Sequence, residues 1–335
     1  MKIWLKRIGL GLLTLLVLTV AAGAVFEQWA RYRALRDFPP PGKMVDIGGR
    51  RIQIDCRGSG SPTVVFESGG DWSGAAHWRK VQEEVAQTTR ACSYSRAGIL
   101  WSDPAPDARK ADAILADLHS LLEKAGEKPP LLLVGWSLGG PYAVLYTQHY
   151  GSDVAGLVLI DPSHPDQWLR FDAITHHRAQ SFTPLLRVAP KLTWSGILRL
   201  WPSEGASFAE RAEVAFMPTS LPSVIKELNS LDDTLAAEGA AHDLGTRPLV
   251  VLTSMAAYSP LELQAFGATR ADGKRLKQAW KGMHDEMAVW SSAGRNEIVS
   301  DAGHEIALQR PQVVIRTVKE VVAAVRANSA AQKQH

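Results

Sequence analysis

The sequence has few cysteines, no strong charge imbalance and no internal repeat. With two cysteines in 335 residues, it is not a disulfide-dense scaffold. The 37 basic residues nearly balance the 34 acidic ones, and no dense basic patch indicates a nucleic-acid partner. A dinucleotide-binding fingerprint and a clustered metal-ligand motif are also absent from the sequence. We therefore expect no organic cofactor, no metal and no nucleic acid.

The remaining composition is that of a folded protein. Apolar residues make up 46% of the chain and charged residues 21%, values typical of globular domains. The length suits one α/β domain with an insertion as well as two domains.

One uncharged run near the N-terminus is long enough to cross a bilayer. Ile8 to Phe26 contain no charged side chain, and roughly 20 apolar residues span the hydrocarbon core. Basic residues before the run favour a cytoplasmic N-terminus, although arginines also follow it. We interpret residues 1–26 as a membrane anchor that leaves the following domain outside the cytoplasm, in the periplasm. A cleaved signal peptide with a secreted product is the competing interpretation, because Ala22-Gly23-Ala24 resembles a cleavage site.

The remaining chain alternates strand-like and helix-like segments. Residues 27–42 read as a helix that ends in a proline-rich stalk, followed by a β-hairpin around Gly48-Gly49. The apolar runs LLLVG, AGLVLID and RPLVVLTS are typical of parallel strands covered on both faces. This alternation predicts an α/β fold with a mostly parallel sheet and helices on both sides. We assign residues 43–164 and 246–327 to this core.

Residues 165–245 interrupt the alternation and are rich in proline, tryptophan and leucine. We expect them to form an inserted helical cap, and we expect residues 328–335 to form a flexible tail. Trp168, Trp194 and Trp201 of the cap are candidates for an acyl or alkyl pocket, although such side chains more often form a cap's own core.

The stretch LLLVGWSLGG places Ser137 between a predicted strand and a predicted helix. A Gly-x-Ser-x-Gly sequence in that context is typical of a nucleophile elbow, in which a sharp turn exposes the serine hydroxyl beyond the sheet. The first amides of the next helix face the same point, so we expect the Leu138 amide to stabilise an oxyanion. Gly70, in the glycine-rich loop ESGGDWSG, is the candidate for the second amide, with Asp71 as the neighbouring alternative.

His304 is the best candidate for a base, because it follows the last predicted strand and leaves the same sheet edge as Ser137. His284 falls within a predicted helix and His242 at the exit of the cap, so both are poorer candidates.

Together these residues resemble the α/β-hydrolase superfamily from about Met44 to Ala327. The stretches PPPGKMVDIGGRRIQIDCRGSGSPTVVFESG, YSRAGILWSDPAP and GLVLIDPSHPDQ are more narrowly similar to bacterial membrane-anchored α/β-fold serine hydrolases. The resemblance implies an eight-stranded sheet and the chain order serine, acid, histidine. Many members of that family have a histidine before the serine, whereas this chain has Trp136.

The resemblance implies an acid of the triad after either the seventh or the sixth strand. The usual position after the seventh strand has no carboxylate until Glu262, whereas Asp161 ends the sixth strand, a position that some members of the family use. A carboxylate there orients a histidine and stabilises its imidazolium form. We therefore expect Asp161 to be the acid, with Asp166 and Glu262 as alternative acids. The alternative without a catalytic role is that Asp161 only caps a turn.

The resemblance also implies that the second and fourth strands are neighbours, which brings Cys56 close to Cys92. A disulfide between them is favoured outside the cytoplasm, and two buried free thiols are the alternative.

The sequence therefore predicts a serine hydrolase that cleaves a carboxylic ester or a similar acyl bond of a small-molecule substrate. A peptidase, a thioesterase or a perhydrolase on the same scaffold remains an alternative. A ligand-binding module without turnover is the alternative from a different class, and Trp136 and the position of Asp161 are the features that favour it. Epoxide or haloalkane hydrolysis is disfavoured, because relatives with those activities carry an aspartate in place of the serine.

Overall fold

The computed structural model describes residues 2–176, 184–200 and 207–332, and these residues form a single eight-stranded sheet. The strands are β1 Lys43–Asp46, β2 Arg51–Arg57, β3 Thr63–Glu67, β4 Ala91–Ser95, β5 Leu131–Trp136, β6 Val154–Ile160, β7 Leu249–Ser254 and β8 Gly294–Val299. Their order is β1-β2-β4-β3-β5-β6-β7-β8. Strand β2 is antiparallel to both of its neighbours, and the other pairs are parallel. The predicted α/β-hydrolase architecture is confirmed.

Helices cover both faces of the sheet. The helices in the described ranges are α1 Lys2–Asp37, α2 Arg79–Val85, α3 Ala111–Ala125, α4 Gly139–His149, α5 Gln167–Thr175, α6 Pro184–Leu192, α7 Phe208–Asn229, α8 Leu231–Ala240, α9 Pro260–Ala265, α10 Arg270–Ala288, α11 Ile306–Gln309 and α12 Pro311–Gln332. Short 3₁₀ helices occupy Gly74–Trp78, Thr193–Ser195 and Ile197–Leu200.

The apolar core has one layer on each face, because successive side chains of a strand point to opposite sides. Leu133 of β5 packs in the layer that contains α3 and α4. Its neighbour Val134 packs in the opposite layer, with α2 and α12. The near-continuous apolar strands seen in the sequence therefore supply both layers.

The predicted hairpin joins β1 to β2. The Asp46 carboxylate accepts hydrogen bonds from the amides of Gly48 and Gly49 at 2.8 and 3.1 Å. Both glycines have positive φ angles, 109° and 93°, which a side chain would disfavour. Strand β2 also pairs with β4, where Cys56 lies directly opposite Cys92 and forms a disulfide with it.

The segment between β6 and β7 contains helices α5 to α8. Helix α7 begins at Phe208 and continues through Pro218 and Pro222. A capping box between Ser207 and Glu210 starts this helix. Tertiary packing compensates for the backbone hydrogen bonds that the two prolines cannot donate. Leu231 of α8 packs in the main core, so the end of the segment contributes to the body of the domain.

Helix α10 begins at Arg270, where Thr269 and Asp272 form a capping box. The final helix continues to Gln332, beyond the expected end near Ala327 and into the segment expected to be a flexible tail. Alanine-rich sequence there is compatible with continued helix.

Candidate active site

Ser137 lies in a tight turn between β5 and α4, with a φ angle of +53°. Such a left-handed conformation is costly for a residue with a side chain. The turn also needs its flanking glycines: a Cβ atom at Gly135 would lie 2.3 Å from the Gly139 oxygen, and one at Gly139 would lie 2.4 Å from the Glu67 oxygen. The sequence therefore folds here into the sharp strand-to-helix turn that the motif predicts.

The loop after β3 carries Gly70 to the same place. A Cβ atom at Gly70 would come within 2.9 Å of Leu228 and 3.3 Å of Leu138, so this loop approaches the start of α4 closely. The side chain of the next residue, Asp71, accepts hydrogen bonds from the amide and hydroxyl of Ser73 at 2.8 and 2.6 Å. That carboxylate therefore stabilises the turn of the loop.

Buried Arg96, which the sequence analysis did not single out, contacts the backbone of the loop that carries Gly70. Its guanidinium donates to the carbonyls of Ser68 and Gly69 at 2.7 and 2.6 Å. It also pairs with Glu67 and with Glu227 of α7, at 2.5 and 2.8 Å. These buried contacts connect the loop to the sheet and to the helical segment above it. The YSRAG stretch contains Arg96, but its partner Glu227 is 131 residues away.

His304 and Asp161 form a direct hydrogen bond between histidine Nδ1 and carboxylate Oδ2, 2.7 Å long. Asp161 follows β6 and His304 follows β8, and the carboxyl ends of parallel strands share one edge of the sheet. Burial alone would lower the pKa of His304, but the hydrogen bond and charge of Asp161 outweigh it and raise that pKa above its ordinary value.

Asp161 is buried and surrounded by donors. Its carboxylate accepts from the Ser254 amide at 2.8 Å, the Ser254 hydroxyl at 2.9 Å and the Trp280 indole at 2.8 Å, in addition to His304. Burial alone would raise the pKa of Asp161, but hydrogen bonds to its charged form and the nearby histidines hold that pKa below its ordinary value. The carboxylate is therefore ionised at neutral pH.

Lys277 of α10 supports this arrangement. Its ammonium donates to the Ser254 hydroxyl at 3.0 Å and to the Ser254 carbonyl at 3.1 Å, and it lies 4.3 Å from the centre of the Tyr258 ring. Because an ammonium only donates, the Ser254 hydroxyl accepts from Lys277 and directs its own proton to Asp161. Burial lowers the pKa of Lys277. Lys277 thus contacts the acid through one intervening hydroxyl.

The other candidate acids and bases lie elsewhere or have other partners. His284 is buried between the Pro162 carbonyl and the Thr253 hydroxyl, and His242 contacts the Gly239 carbonyl on the surface. Asp166 pairs with Arg170 at 3.3 Å. Glu262 borders the same cavity as His304, but one of its oxygens caps α9 at Ser259.

Trp136 connects the serine turn to the histidine loop. Its indole Nε1 donates to the backbone oxygen of His304 at 2.9 Å, and its ring stacks on His77 at a centroid distance of 4.1 Å. Burial lowers the pKa of His77 to about 4, so this ring is neutral. The Trp136 side chain therefore positions the loop that carries His304.

A cavity of about 370 Å³ opens above these residues. Gly70, Ser137, Leu138, Asp161 and His304 all border it. The remaining lining is largely apolar or aromatic and comes from Trp168, Phe171, Leu228, Leu231, Tyr258, Phe266 and Trp280. Of the cap tryptophans named above, Trp168 borders the cavity, Trp194 is half exposed beside α1, and Trp201 lies outside the described residues.

Within the described ranges, Cys56, Cys92 and Glu127 form a group whose potential ligand atoms lie within 4.8 Å of one another. The two sulfurs are bonded in a disulfide, and the Glu127 carboxylate accepts from Arg90 at 2.7 Å. Neither sulfur is therefore a free thiolate that could bind a metal.

Comparisons with known proteins agree with this fold. Residues 64–317 match the model of a family described as "Alpha/beta hydrolase family". Protein YbdG of Bacillus subtilis (strain 168) is 25% identical over 168 residues, which cover 50% of this chain and 52% of that protein. The chain thus spans about half the length of this curated relative.

Solved structures show the same fold at low sequence identity. A thermophilic esterase from Thermogutta terrifontis superimposes with a TM-score of 0.60 at 18% identity, covering 84% of this chain and 98% of the esterase. Esterase EaEST from Exiguobacterium antarcticum gives a TM-score of 0.58 at 14% identity, with 84% and 99% of the two chains covered.

Proposed function

This chain belongs to the alpha/beta hydrolase family, and from that premise we propose that it is a serine hydrolase. Its substrate is a small molecule with a carboxylic ester or a similar acyl bond, cleaved through an acyl-enzyme. The observation that carries the proposal is the 2.7 Å hydrogen bond between His304 and Asp161, at a cavity that Ser137 also borders.

In the first half of the reaction, the Ser137 hydroxyl attacks the acyl carbon and His304 takes its proton. Asp161 fixes the tautomer of His304 and stabilises the imidazolium that forms. The amides of Gly70 and Leu138 donate to the oxyanion of the tetrahedral intermediate. Collapse of the intermediate transfers the proton from His304 to the departing alcohol and leaves an ester on Ser137.

In the second half, water replaces the alcohol. His304 accepts a proton from the water, which attacks the acyl carbon, and the same amides stabilise the second oxyanion. The acid product leaves and Ser137 regains its proton. The apolar cavity lining suits an acyl or alkyl group of moderate size.

The helix α1 supports a role at a membrane. Ile3–Asp37 is long and apolar enough to cross a bilayer, and its apolar stretch is exposed. Near the end of that stretch, Gly23 contacts Ser195 so closely that a Cβ atom would lie 2.3 Å from the Ser195 oxygen. A contact with the folded body favours a retained anchor over a cleaved signal peptide. We propose that α1 anchors the protein, with the hydrolase domain on the periplasmic side.

Turnover of a substrate panel tests the hydrolase proposal. The folded protein is offered short p-nitrophenyl esters, matched thioesters and matched amides. We expect ester hydrolysis to be fastest, and we expect Ser137→Ala to lower kcat by about 10⁴-fold or more. Faster cleavage of amides or thioesters would move the assignment to a peptidase or a thioesterase. Equal turnover by the variant and the parent would contradict the serine mechanism.

A further inference from the structure

Exposed apolar side chains are concentrated on one short stretch of the segment between β6 and β7. Val188, Trp194, Ile197 and Leu200 are 48 to 75% exposed within 13 residues of sequence. Elsewhere in the described body, beyond α1, the large exposed apolar side chains are separated along the sequence: Trp72, Leu169, Leu261, Val289, Ile298 and Leu308. Single exposed apolar residues are ordinary, whereas a group of them marks an interaction surface.

The 3₁₀ helix Ile197–Leu200 presents two of these side chains on one face. Residues three apart in a 3₁₀ helix eclipse each other, so Ile197 and Leu200 point the same way. Arg199, in the same turn, points instead to Glu27 of α1, with a contact of 2.6 Å. The turn therefore has a polar side that holds α1 and an apolar side that is exposed.

This stretch contacts α1 at a defined position along the helix. A Cβ atom at Gly196 would lie 2.8 Å from the Gly23 oxygen, and Gly196 also has a positive φ of 73°. Glu27, whose side chain is fully buried, accepts hydrogen bonds from Arg199 and Arg31. Backbone contact and a buried ion pair leave little freedom for the stretch to slide along α1.

The position of this contact along α1 coincides with the expected edge of a bilayer. From Ile8 to Phe26, the uncharged run, the helix rises about 27 Å, close to the thickness of the hydrocarbon core, and Gly23 lies about 5 Å before the end of this run. Trp4 and Trp29, both exposed, lie about 38 Å apart along the helix, and tryptophans are enriched at the two membrane interfaces. Gly23, and the stretch packed on it, therefore lie where hydrocarbon gives way to headgroups.

We propose that Trp194, Ile197 and Leu200 enter the interfacial layer of the bilayer that α1 spans, so that the cap makes a second membrane contact. The inference rests on the proposed anchoring by α1. The occupant is lipid because Ser195 and Gly196 pack against Gly23 of the proposed spanning helix, which places the exposed apolar side chains next to them at the bilayer that this helix crosses. An exposed basic residue, Lys191, precedes them and suits anionic headgroups.

The 3₁₀ turn also contacts a helix that forms part of the cavity wall. Arg199 donates to the Ala215 carbonyl of α7 at 2.9 Å, and the same helix carries Leu228, which borders the cavity. The bilayer, the 3₁₀ turn and the wall of the cavity are thus linked by direct contacts.

Fluorescence depth measurements on the full chain test the proposal. The protein is reconstituted in phosphatidylcholine and phosphatidylglycerol vesicles and labelled with NBD at Leu200→Cys or Ile197→Cys, without reductant so that the native disulfide remains. Val289→Cys is the matched control, because Val289 is 78% exposed and lies between α10 and the start of β8, outside the stretch from Val188 to Leu200. Leu13→Cys, in the middle of the apolar run of α1, reports whether the anchor is inserted.

We expect labels at positions 197 and 200 to be blue-shifted and quenched at least threefold more by nitroxide at the lipid interface than the label at position 289. A water-like signal at position 200 with a lipid signal at position 13 would overturn the inference and leave the anchor intact. Water-like signals at both positions would overturn the anchor and the inference together. A blue shift without quenching would mean that protein covers the stretch, which also overturns the inference. None of these three results would bear on ester hydrolysis by the domain.

Discussion

The indole of Trp136 donates to the backbone oxygen of His304 across 168 residues of sequence, at 2.9 Å. One side chain thus joins the turn that carries Ser137 to the loop that carries the proposed base. Since a small displacement of a catalytic group costs a large factor in rate, this contact is expected to position His304.

Replacing Trp136 with phenylalanine removes the donor and keeps an aromatic ring. We expect Trp136→Phe to lower kcat for a short p-nitrophenyl ester by about tenfold, with KM nearly unchanged, because substrate does not contact the indole nitrogen. Trp101→Phe is the matched control, since the Trp101 indole donates to the Phe38 carbonyl at 2.8 Å away from the site. An equal loss in both variants would attribute the effect to general destabilisation.

The pH dependence of kcat/KM reports His304, which acts as a base when neutral. Because the pKa of His304 is raised, the rate should increase with pH through an inflection above the ordinary histidine value of about 6.5. Lys277 opposes that shift by its charge, so Lys277→Met should move the inflection to still higher pH. Lys281→Met, on the exposed face of the same helix and paired with Asp285, should leave it in place. An inflection that moves down in Lys277→Met would contradict the account.

Removing the carboxylate of Asp161 tests the acid directly. Asp161→Asn leaves a side chain of the same shape but favours the wrong tautomer of His304, and the same substitution in a serine protease lowers kcat by about 10⁴-fold. We expect a loss of similar order here. Glu262→Gln and Asp166→Asn serve as controls. If Asp161→Asn kept full activity while one of the control variants lost about 10⁴-fold in kcat, the acid would have been assigned to the wrong residue.

The Arg96 contacts are expected to contribute strongly to stability, because they are buried. Arg96→Met leaves the carboxylates of Glu67 and Glu227 without their cation and should lower the free energy of unfolding by about 3–5 kcal/mol. Arg51→Met removes an ion pair with Asp103 whose members are 63% and 36% exposed, and it should cost less than about 1 kcal/mol. Urea denaturation measures both. Similar costs for the two variants would show that burial of Arg96 contributes little.

The disulfide closes a loop of 36 residues. In the chain-entropy description such a crosslink stabilises by about 4 kcal/mol. The double replacement of Cys56 and Cys92 by serine should therefore lower the free energy of unfolding by roughly that amount, measured in urea without reductant. Reductant should destabilise the parent protein and leave the double variant unchanged. A parent that is insensitive to reductant would argue against the bond.

The sequence predicts most of the fold because its signals are local. Apolar runs identify the buried strands, and the Gly-x-Ser-x-Gly turn identifies Ser137 because the glycines and the strand-to-helix change lie within a few residues. The pairing of His304 with Asp161 is also foreseeable, although 143 residues separate them, since both follow strands of one parallel sheet.

What the sequence does not reveal depends on partners that only folding brings together. Arg96 and Lys277 look like ordinary surface cations until the structure buries them against Glu227 and Ser254. Trp136 is recognisable as unusual, but its acceptor is a backbone oxygen and leaves no mark in the sequence. Helix α7 begins before its two prolines because tertiary packing outweighs local propensity there.

The most direct test of the central claim is covalent labelling of folded protein with a fluorophosphonate, followed by mass spectrometry of the peptide that contains Ser137. The account predicts one adduct, on the Ser137 hydroxyl, which is lost in Ser137→Ala and slowed in Asp161→Asn. Absence of an adduct in folded protein, or an adduct that persists in Ser137→Ala, would contradict the proposed serine mechanism.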